Sequence, residues 1–380
     1  MKTRQKILIV QTQAENAGAQ EIARHLGDGL ESRGHEVQHL FFYRKTDAFD
    51  AVPNTSFCAD QRPGSPMAFL VFLFRLVKQI REIKPDVVLT FQHYGNLFGA
   101  PAARLAGVRH VVANQVSAQA AMNDTIRRVD KLFGSLGMYD TITVNSADTA
   151  GEYADFPKRY TERIVYVPHG FKDKSSALTK QQAREKFGLP QTVTLLGSVA
   201  RLNAMKRLDI AVRALVHDES WHLVLGGQGP DENNLRQLAA DLGVSDRTYF
   251  TGEMESNEVG DLLAAMDLFV FPSEAETFGL AAVEAAQTGL PLVSNGIPVL
   301  REVLKTDSGP CSLFADSEDP DSFIAPIRTL LSDKDQAQAL IQSSKKLKTM
   351  YSMDAMVDRY EKILSDKEQA ELTIKGVSTA

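Results

Sequence analysis

A chain of 380 residues suggests roughly two to three domains, and its 43% of hydrophobic residues can fill more than one core. The formal net charge of −6 argues against a general nucleic-acid binder, which would carry a basic balance. The two cysteines, Cys58 and Cys311, lie far apart without CxxC spacing, so the sequence indicates neither a disulfide framework nor a zinc site. The start of the chain has no signal-peptide core, and no apolar run reaches the roughly eighteen residues of a membrane span. We therefore expect a soluble protein of a reducing compartment, the cytoplasm.

Short apolar runs rich in β-branched residues alternate with helical segments along almost the whole chain. The predicted strands of the first half are Ile7–Val10, Val37–Phe42, Asp86–Phe91, His110–Asn114, Thr141–Asn145 and Ile164–Val167. Those of the second half are Val193–Val199, His222–Leu225, Thr248–Thr251, Leu268–Phe271, Pro291–Ser294 and Cys311–Phe314. This alternation predicts an α/β protein whose parallel sheets are covered by helices on both faces.

The most informative stretch of the chain is residues 268–295. Its apolar strand is followed by Glu276 and then by a predicted helix, Phe278–Gln287, in which Glu284 lies about two turns from the start. Free amides at that helix N-terminus, with no side chain on Gly279, can approach an anion, and the two carboxylates can accept hydrogen bonds from hydroxyl groups. A nucleotide sugar presents both features in line. The alternative is two solvated glutamates on a surface helix.

The wider pattern, P-S-x-x-E-x-F-G-L-x-x-x-E-A-x-x-x-G-x-P, resembles the donor site of the retaining family 4 glycosyltransferases. The resemblance runs from about Ile7 to Leu364. It implies the GT-B fold, an α/β architecture of two Rossmann-like domains facing each other across a cleft. It also implies donor-binding residues beside the two glutamates. By position these are Phe278, Gly279 and Leu280 at the helix start, and Gly252, Glu253 and Met254, whose backbone would contact the nucleobase.

The resemblance also sets the expected domain boundaries. An acceptor-side domain would span residues 1–170 and end in the Pro-x-Gly of Val167–Gly170, and a donor domain would span 171–350. A last helix, about 352–367, would cross back to complete the first domain. Residues 368–380 are polar, and we expect a frayed tail there.

Two cations mark a second cluster. Arg201 lies at the carboxyl end of a predicted strand, and a helix should begin near Lys206. Ligands of open α/β sheets bind outside the carboxyl ends of the strands, so both cations are at the expected location. The family matching implies that both side chains contact the donor diphosphate and do electrostatically what a metal ion does elsewhere. With Glu276 they form the predicted catalytic set. The alternative is a cationic pair on a surface loop.

Two segments of the first half are candidates for the acceptor side. Gly18 opens a helix similar to the family's Gly-Gly-Ala-Glu start, although Ala17 replaces one glycine in the loop Ala14–Gly18. Many relatives place a histidine after the strand that here runs into Asn114–Ser117, so histidine-assisted chemistry at that position is put in doubt. His93, at another strand end, could bind the acceptor instead, or be a loop histidine without chemistry.

Two further sequence patterns suggest a function but can also be explained by ordinary structural roles. Asp319-Pro-Asp321 matches a D-x-D metal motif, but its acidic loop indicates the start of a surface helix. Residues 67–84 combine the apolar run Met67–Phe74 with four basic residues. Such a segment could touch a membrane interface or could pack on the sheet with its basic end solvated.

The sequence as a whole thus predicts a metal-independent, retaining glycosyltransferase without a cofactor. The donor would be a UDP- or GDP-linked hexose, and the product an α-glycoside on a glycan, a glycolipid or a small acceptor, with bacterial polysaccharide assembly as the setting. Two alternatives are a nucleotide-sugar epimerase on the same fold and a non-catalytic sugar-nucleotide binder.

Overall fold

A computed structural model of the chain describes residues 4–15, 18–116 and 122–365. The chain divides into two compact units, the first formed by Met1–Gly170 with Tyr351–Ala380 and the second by Phe171–Met350. The predicted tail 368–380 lies outside the described residues, as do parts of the loops that precede Gly18 and follow Asn114.

The first unit is built on a parallel sheet of seven strands, in the order β3-β2-β1-β4-β5-β6-β7. The strands are β1 Lys6–Ala14, β2 Glu36–Arg44, β3 Thr55–Ala59, β4 Val87–Phe91, β5 His110–Gln115, β6 Thr141–Val144 and β7 Ile164–Tyr166. The first seven helices are α1 Gly18–Ser32, α2 Pro66–Ile83, α3 Gln92–Tyr94, α4 Ala100–Leu105, α5 Asp124–Ser135, α6 Ala147–Gly151 and α7 Lys158–Thr161, with a π-helical turn over Gly95–Gly99. The middle strands are buried on both faces, which is why they read as continuous apolar runs.

The second unit holds a parallel six-stranded sheet, in the order β10-β9-β8-β11-β12-β15, and a small antiparallel pair, β13-β14. The strands are β8 Thr194–Val199, β9 Trp221–Gly226, β10 Thr248–Gly252, β11 Leu268–Phe271, β12 Leu292–Asn295, β13 Lys305–Thr306, β14 Gly309–Pro310 and β15 Leu313–Ala315. The helices are α8 Lys180–Lys186, α9 Leu208–Ala214, α10 Glu232–Asp241, α11 Glu258–Ala265, α12 Leu280–Gln287, α13 Pro298–Val303, α14 Ile324–Ser332, α15 Lys334–Ser344 and α16 Leu347–Met350.

The last described helix, α17 Met353–Leu364, belongs to the first unit. Its apolar face is buried there, and the Tyr360 hydroxyl donates a hydrogen bond of 2.6 Å to Oδ1 of Asn114 on β5. On the other side, Arg33 at the end of α1 forms ion pairs with Asp358 and Glu361. Apolar burial and paired charges together hold this C-terminal helix on a sheet formed by the start of the chain.

Both sheets have the strand order of doubly wound folds. The direction of winding reverses between β1 and β4 in the first unit and between β8 and β11 in the second. Ligands of such sheets bind outside the carboxyl ends of the strands at this reversal. The fold therefore provides one favoured ligand position in each unit.

The structure differs from the sequence analysis, or refines it, at three local points. The strand β3 was not predicted, because Thr55–Ala59 is short and has no clear apolar alternation. The helix α12 begins at Leu280 rather than Phe278, so Glu284 is its fifth residue and lies about one turn inside, not two. A one-turn 3-10 helix, Ala204–Lys206, precedes α9, which begins only at Leu208 because Arg207 adopts a left-handed conformation with φ of 48°.

Candidate active site

The second unit brings the predicted cations and carboxylates to the point where its strand order reverses. Arg201 lies two residues beyond the end of β8, with an exposed side chain, and Lys206 ends the 3-10 turn that follows. Glu276 lies on the loop after β11, the neighbouring strand. The carboxyl ends of two adjacent parallel strands thus carry residues that are seventy positions apart in the chain.

The closest contact in this cluster joins Lys206 to Glu276. The Lys206 ammonium lies 2.5 Å from Oε1 of Glu276, and the two side chains are only 22% and 11% exposed. The ammonium also lies 5.7 Å from the centre of the Phe271 ring. A half-buried cation beside an aromatic ring is poorly hydrated, so an anionic ligand gains more from it than from a lysine in open water.

The helix α12 starts directly behind Glu276. Gly279 caps it with φ of 82°, a conformation that side chains rarely adopt, and an added Cβ would meet Leu300. Phe278 is buried and packs on Phe171, at 5.8 Å between ring centres. The first amides of a helix have no partner within it, so this end of α12 suits a negatively charged group.

Glu284 lies one turn into α12 and faces Lys174, which the sequence analysis did not single out. The Lys174 ammonium is 3.8 Å from Oε1 of Glu284, and both side chains are largely buried. The same ammonium donates hydrogen bonds to the Ser256 carbonyl, at 2.8 Å, and to the Ser256 hydroxyl. Lys174 therefore ties the carboxylate of α12 to the loop after β10. Since Lys174 and Glu284 are 110 positions apart in the chain, no local sequence pattern could predict their contact.

The loop after β10 contains the residues predicted to contact a nucleobase. Gly252 ends the strand with φ of 74°, and its carbonyl accepts a hydrogen bond of 2.8 Å from the amide of Gly227. Glu253 is exposed and accepts a hydrogen bond from Gln228, while Met254 is half-buried. Ser256, the partner of Lys174, lies two residues further on.

Two buried polar atoms flank Arg201. Oγ of Ser198 and Oδ1 of Asn203 have no hydrogen-bond partner among the residues that the structure describes. Buried polar groups are normally paired, so unpaired ones next to a cationic loop are candidates for ligand contact. These two residues also escaped the sequence analysis, since single Ser and Asn side chains near a strand end carry no pattern.

The residues predicted to lie on the acceptor side belong to the first unit. Gly18 is the first residue of α1, and His93 lies in the single turn α3, after β4, where burial lowers the pKa of its imidazole. Asn114, the first residue of the segment Asn114–Ser117 considered in the sequence analysis, is fully buried. Its amide donates to the Thr90 carbonyl at 2.9 Å and its oxygen accepts from Thr143 at 2.5 Å, so it has a structural role.

The D-x-D match lies at a short 3-10 turn, Pro320–Phe323, directly before α14. Over residues 4–15, 18–116 and 122–365, no three His, Cys, Asp or Glu side chains are grouped so that they could hold a metal ion. Within the same ranges no helix has the length and apolar character needed to cross a membrane.

Comparisons with known proteins define the class. A family model described as Glycosyl transferases group 1 matches residues 179–347, and one described as Glycosyltransferase Family 4 matches residues 17–174. A D-inositol 3-phosphate glycosyltransferase of Xylanimonas cellulosilytica is 28% identical over 78% of this chain and 77% of its own length. The O-antigen biosynthesis glycosyltransferase WclY of Escherichia coli is 26% identical over 43% of this chain and 46% of its own.

The fold agrees with these matches. The structure of Anabaena HepE in complex with UDP and glucose superposes with a TM-score of 0.83 and 19% identity, over 95% of this chain and 100% of that one. Two Rossmann-like units of this kind define the GT-B fold. The chain belongs to the group 1 glycosyltransferases of that fold, and it is an enzyme that uses a nucleotide sugar as donor.

Proposed function

We propose that this enzyme is a metal-independent, retaining hexosyltransferase that moves a hexose from UDP or GDP to a glycan or glycolipid and forms an α-glycosidic bond. The observation that supports it best is the Lys206–Glu276 pair at the start of α12. It joins a cation suited to the leaving diphosphate to a carboxylate suited to the sugar, at the position where open α/β sheets bind ligands.

Each residue of the cluster has a physical task in this proposal. Arg201 and Lys206 offset the charge that develops on the departing diphosphate, a stabilisation that is strongest where water is excluded. Glu276 orients the sugar hydroxyls and stabilises positive charge near the anomeric carbon. Glu284, held by Lys174, accepts hydrogen bonds from the ribose hydroxyls. The acceptor hydroxyl attacks from the face that the diphosphate leaves, which preserves the anomeric configuration.

The family match favours a transferase over the epimerase and over the non-catalytic binder. A transferase must also release free nucleotide together with a new glycoside, whereas an epimerase releases a changed sugar nucleotide. Proton NMR of the product from an α-linked UDP- or GDP-hexose tests the proposal, with EDTA present in a parallel reaction. We expect an α-glycoside at an unchanged rate under EDTA. A β-glycoside would overturn retention, and loss of activity that added metal restores would overturn metal independence.

We also propose that α2 binds the inner face of a membrane that contains anionic lipid. Four apolar side chains recur at spacings of three and four residues along one side of this helix and are exposed. They are Met67, Leu70, Val71 and Phe74, exposed to 69%, 59%, 44% and 72%. The opposite side packs on the sheet through Phe72, Leu76 and Ile80.

Charge complementarity supports a lipid partner for this exposed face. Arg75, Lys78 and Arg81 follow the apolar stripe, and each cation near an anionic bilayer contributes about 1 kcal/mol of attraction. The helix thus has one side for its own core and another that combines apolar and basic residues, as interfacial helices do. Peripheral binding of this kind would bring a cytoplasmic enzyme to a lipid-linked acceptor.

A further inference from the structure

The first unit contains a cavity of about 440 Å³ that has no role in donor binding as proposed above. Thr12 and Gln13 near the end of β1, Tyr43 near the end of β2, and His93 after β4 all line it. The cavity therefore lies where the strand order of this unit reverses, the favoured ligand position of a doubly wound sheet. Its volume is in the range of small-molecule sites, roughly 300–1,000 Å³.

One part of the cavity wall is aromatic. The Phe98 ring contacts those of Phe42 and Phe69, and it meets Phe69 in an edge arrangement at 5.2 Å between ring centres. The Tyr94 ring is parallel to that of Phe98, and the His93 ring lies 4.4 Å from Tyr94. Such rings offer flat apolar surfaces on which the C–H face of a pyranose can pack.

The other part of the wall consists of hydrogen-bonding groups. Gln13, Gln92 and the Tyr43 hydroxyl border the cavity, and Tyr43 already donates to Oε1 of Gln13 at 2.8 Å. Oγ1 of Thr12 and Nδ1 of His93 have no hydrogen-bond partner in the described part of the chain. Both atoms belong to residues that line the cavity, and unpaired buried polar atoms at such a place are candidates for ligand contact.

The backbone at this wall is strained. Gln92, the first residue after β4, has φ of 66°, a left-handed conformation that is uncommon for a residue with a side chain. It turns the chain directly into α3, the turn that supplies His93 and Tyr94 to the cavity. Strained residues of this kind concentrate where a ligand is held.

The cavity has little positive charge. Arg62 is the one residue with a permanent charge among the described residues that line it, and its side chain is exposed. Nearby, Lys45 pairs with Glu15 at 2.5 Å, and Glu15 also accepts from Gln13. Burial lowers the pKa of His93, so its imidazole is neutral near pH 7 and can donate and accept one hydrogen bond each. Among the described residues that line the cavity, a phosphate group would therefore meet one exposed cation, Arg62, and no buried cation.

We infer that this cavity binds the acceptor's terminal sugar as a neutral pyranose, stacked on Tyr94 and held by Gln13 and His93, rather than as a sugar phosphate. The inference rests on the proposed transferase function, for which it names the acceptor class. The two remain separable, because a retaining transferase could equally act on a phosphorylated acceptor.

Saturation-transfer NMR on the full chain tests this inference without a donor. The probes are methyl α-D-glucopyranoside, its galactose and mannose counterparts, and the three corresponding hexose 6-phosphates. We expect saturation of at least one methyl hexopyranoside, reduced about fivefold or more by Tyr94→Leu and retained by Tyr94→Phe, which keeps the ring. Arg201→Ala, in the other unit, should leave this signal unchanged, so a defect in donor binding cannot be mistaken for one at the cavity.

Three results would overturn the inference. These are saturation confined to the hexose phosphates and lost in Arg62→Gln, no saturation of any methyl hexopyranoside, and a pyranoside signal that Tyr94→Leu does not change. If Tyr94→Leu does not fold, as judged by thermal unfolding, His93→Leu removes a second wall residue and must give the same reduction. Retention of anomeric configuration in the product, measured separately, reports on the proposed function alone.

Discussion

Lys206 and Glu276 form the tightest charged contact of the cluster at the start of α12, at 2.5 Å between ammonium and carboxylate oxygen, with both side chains mostly buried. Each of the two groups neutralises the charge of the other. A donor diphosphate would compete for the lysine, and its sugar hydroxyls would compete for the glutamate. The ion pair thus holds both side chains in position for a donor whose diphosphate would bind Lys206 and whose sugar hydroxyls would bind Glu276.

The first prediction concerns the cations. Replacing Arg201 or Lys206 by Ala should weaken donor binding and turnover about tenfold or more, since a charge-assisted hydrogen bond contributes ~1.5–3 kcal/mol. Lys206→Ala should cost more turnover than Arg201→Ala, because it also leaves Glu276 without its partner. Steady-state kinetics and nucleotide titration measure both effects. An Arg201→Ala enzyme with normal kinetics and normal nucleotide affinity would exclude Arg201 from the phosphate site.

The second prediction separates the two glutamates. Glu284→Gln should raise the KM for donor with little change in kcat, since ground and transition states lose the same ribose contact. Glu276→Gln should lower kcat by about a hundredfold, because its interaction strengthens as the diphosphate leaves. Both substitutions conserve shape, so thermal unfolding serves as the control. Equal effects on kcat from both variants would contradict this division.

The third prediction tests Lys174, which positions Glu284. Lys174→Met should raise the KM for donor roughly tenfold, because Glu284 and Ser256 lose the cation that joins them. Combined with Glu284→Gln it should add little further, since contacting residues are not additive. The matched control is Lys346→Met, which removes an exposed ion pair with Asp307 in the same unit and should change KM less than twofold. Full additivity in the double variant would show that Lys174 acts elsewhere.

The fourth prediction concerns α2 and membranes. Vesicles containing anionic lipid should sediment with the protein at low salt and release it at high salt, because salt screens the basic side chains. Phe74→Ser with Leu70→Ser should weaken binding about tenfold or more at any salt, since their apolar surface no longer inserts. Leu132→Ser on α5 removes a similarly exposed apolar side chain and should have no effect. Sedimentation that is the same for all variants would leave the exposed stripe without a lipid role.

The fifth prediction is a loss of stability in acid. Burial lowers the pKa of His39 and of His169 to about 4, against roughly 6.5 in the unfolded chain, so unfolding takes up protons between these values. The free energy of unfolding of the first unit should therefore fall as pH drops from about 6.5 to 4, with the two histidines together contributing several kcal/mol. His169→Gln should flatten this pH dependence in denaturant titrations. A slope identical to that of the unchanged protein would show that His169 does not titrate on unfolding.

Sequence alone predicted most strands of the two parallel sheets and the motif around Glu276 and Glu284. Strand and helix alternation is a local signal, since runs such as Leu268–Phe271 are apolar because both faces of the strand are buried. Glu276, Gly279 and Glu284 lie within nine positions, so their spacing along one loop and helix could be read directly. The start of α12 was misplaced by two residues, because Gly279 in its left-handed conformation acts as the cap.

Tertiary structure alone decided which distant residues meet. Lys174 reaches Glu284, and Phe98, which follows β4, reaches Phe69 of α2, because the fold brings together segments that are far apart in the chain. The sequence also left two possibilities for the apolar run of α2. A helix side can pack on a sheet or face solvent, and composition does not distinguish the two, whereas the position of Phe72 against the core fixes Phe74 outside. The sequence by itself determined the features that depend on residues close together in the chain, such as strands, helices and local motifs. The three-dimensional fold decided every contact that depends on strand order.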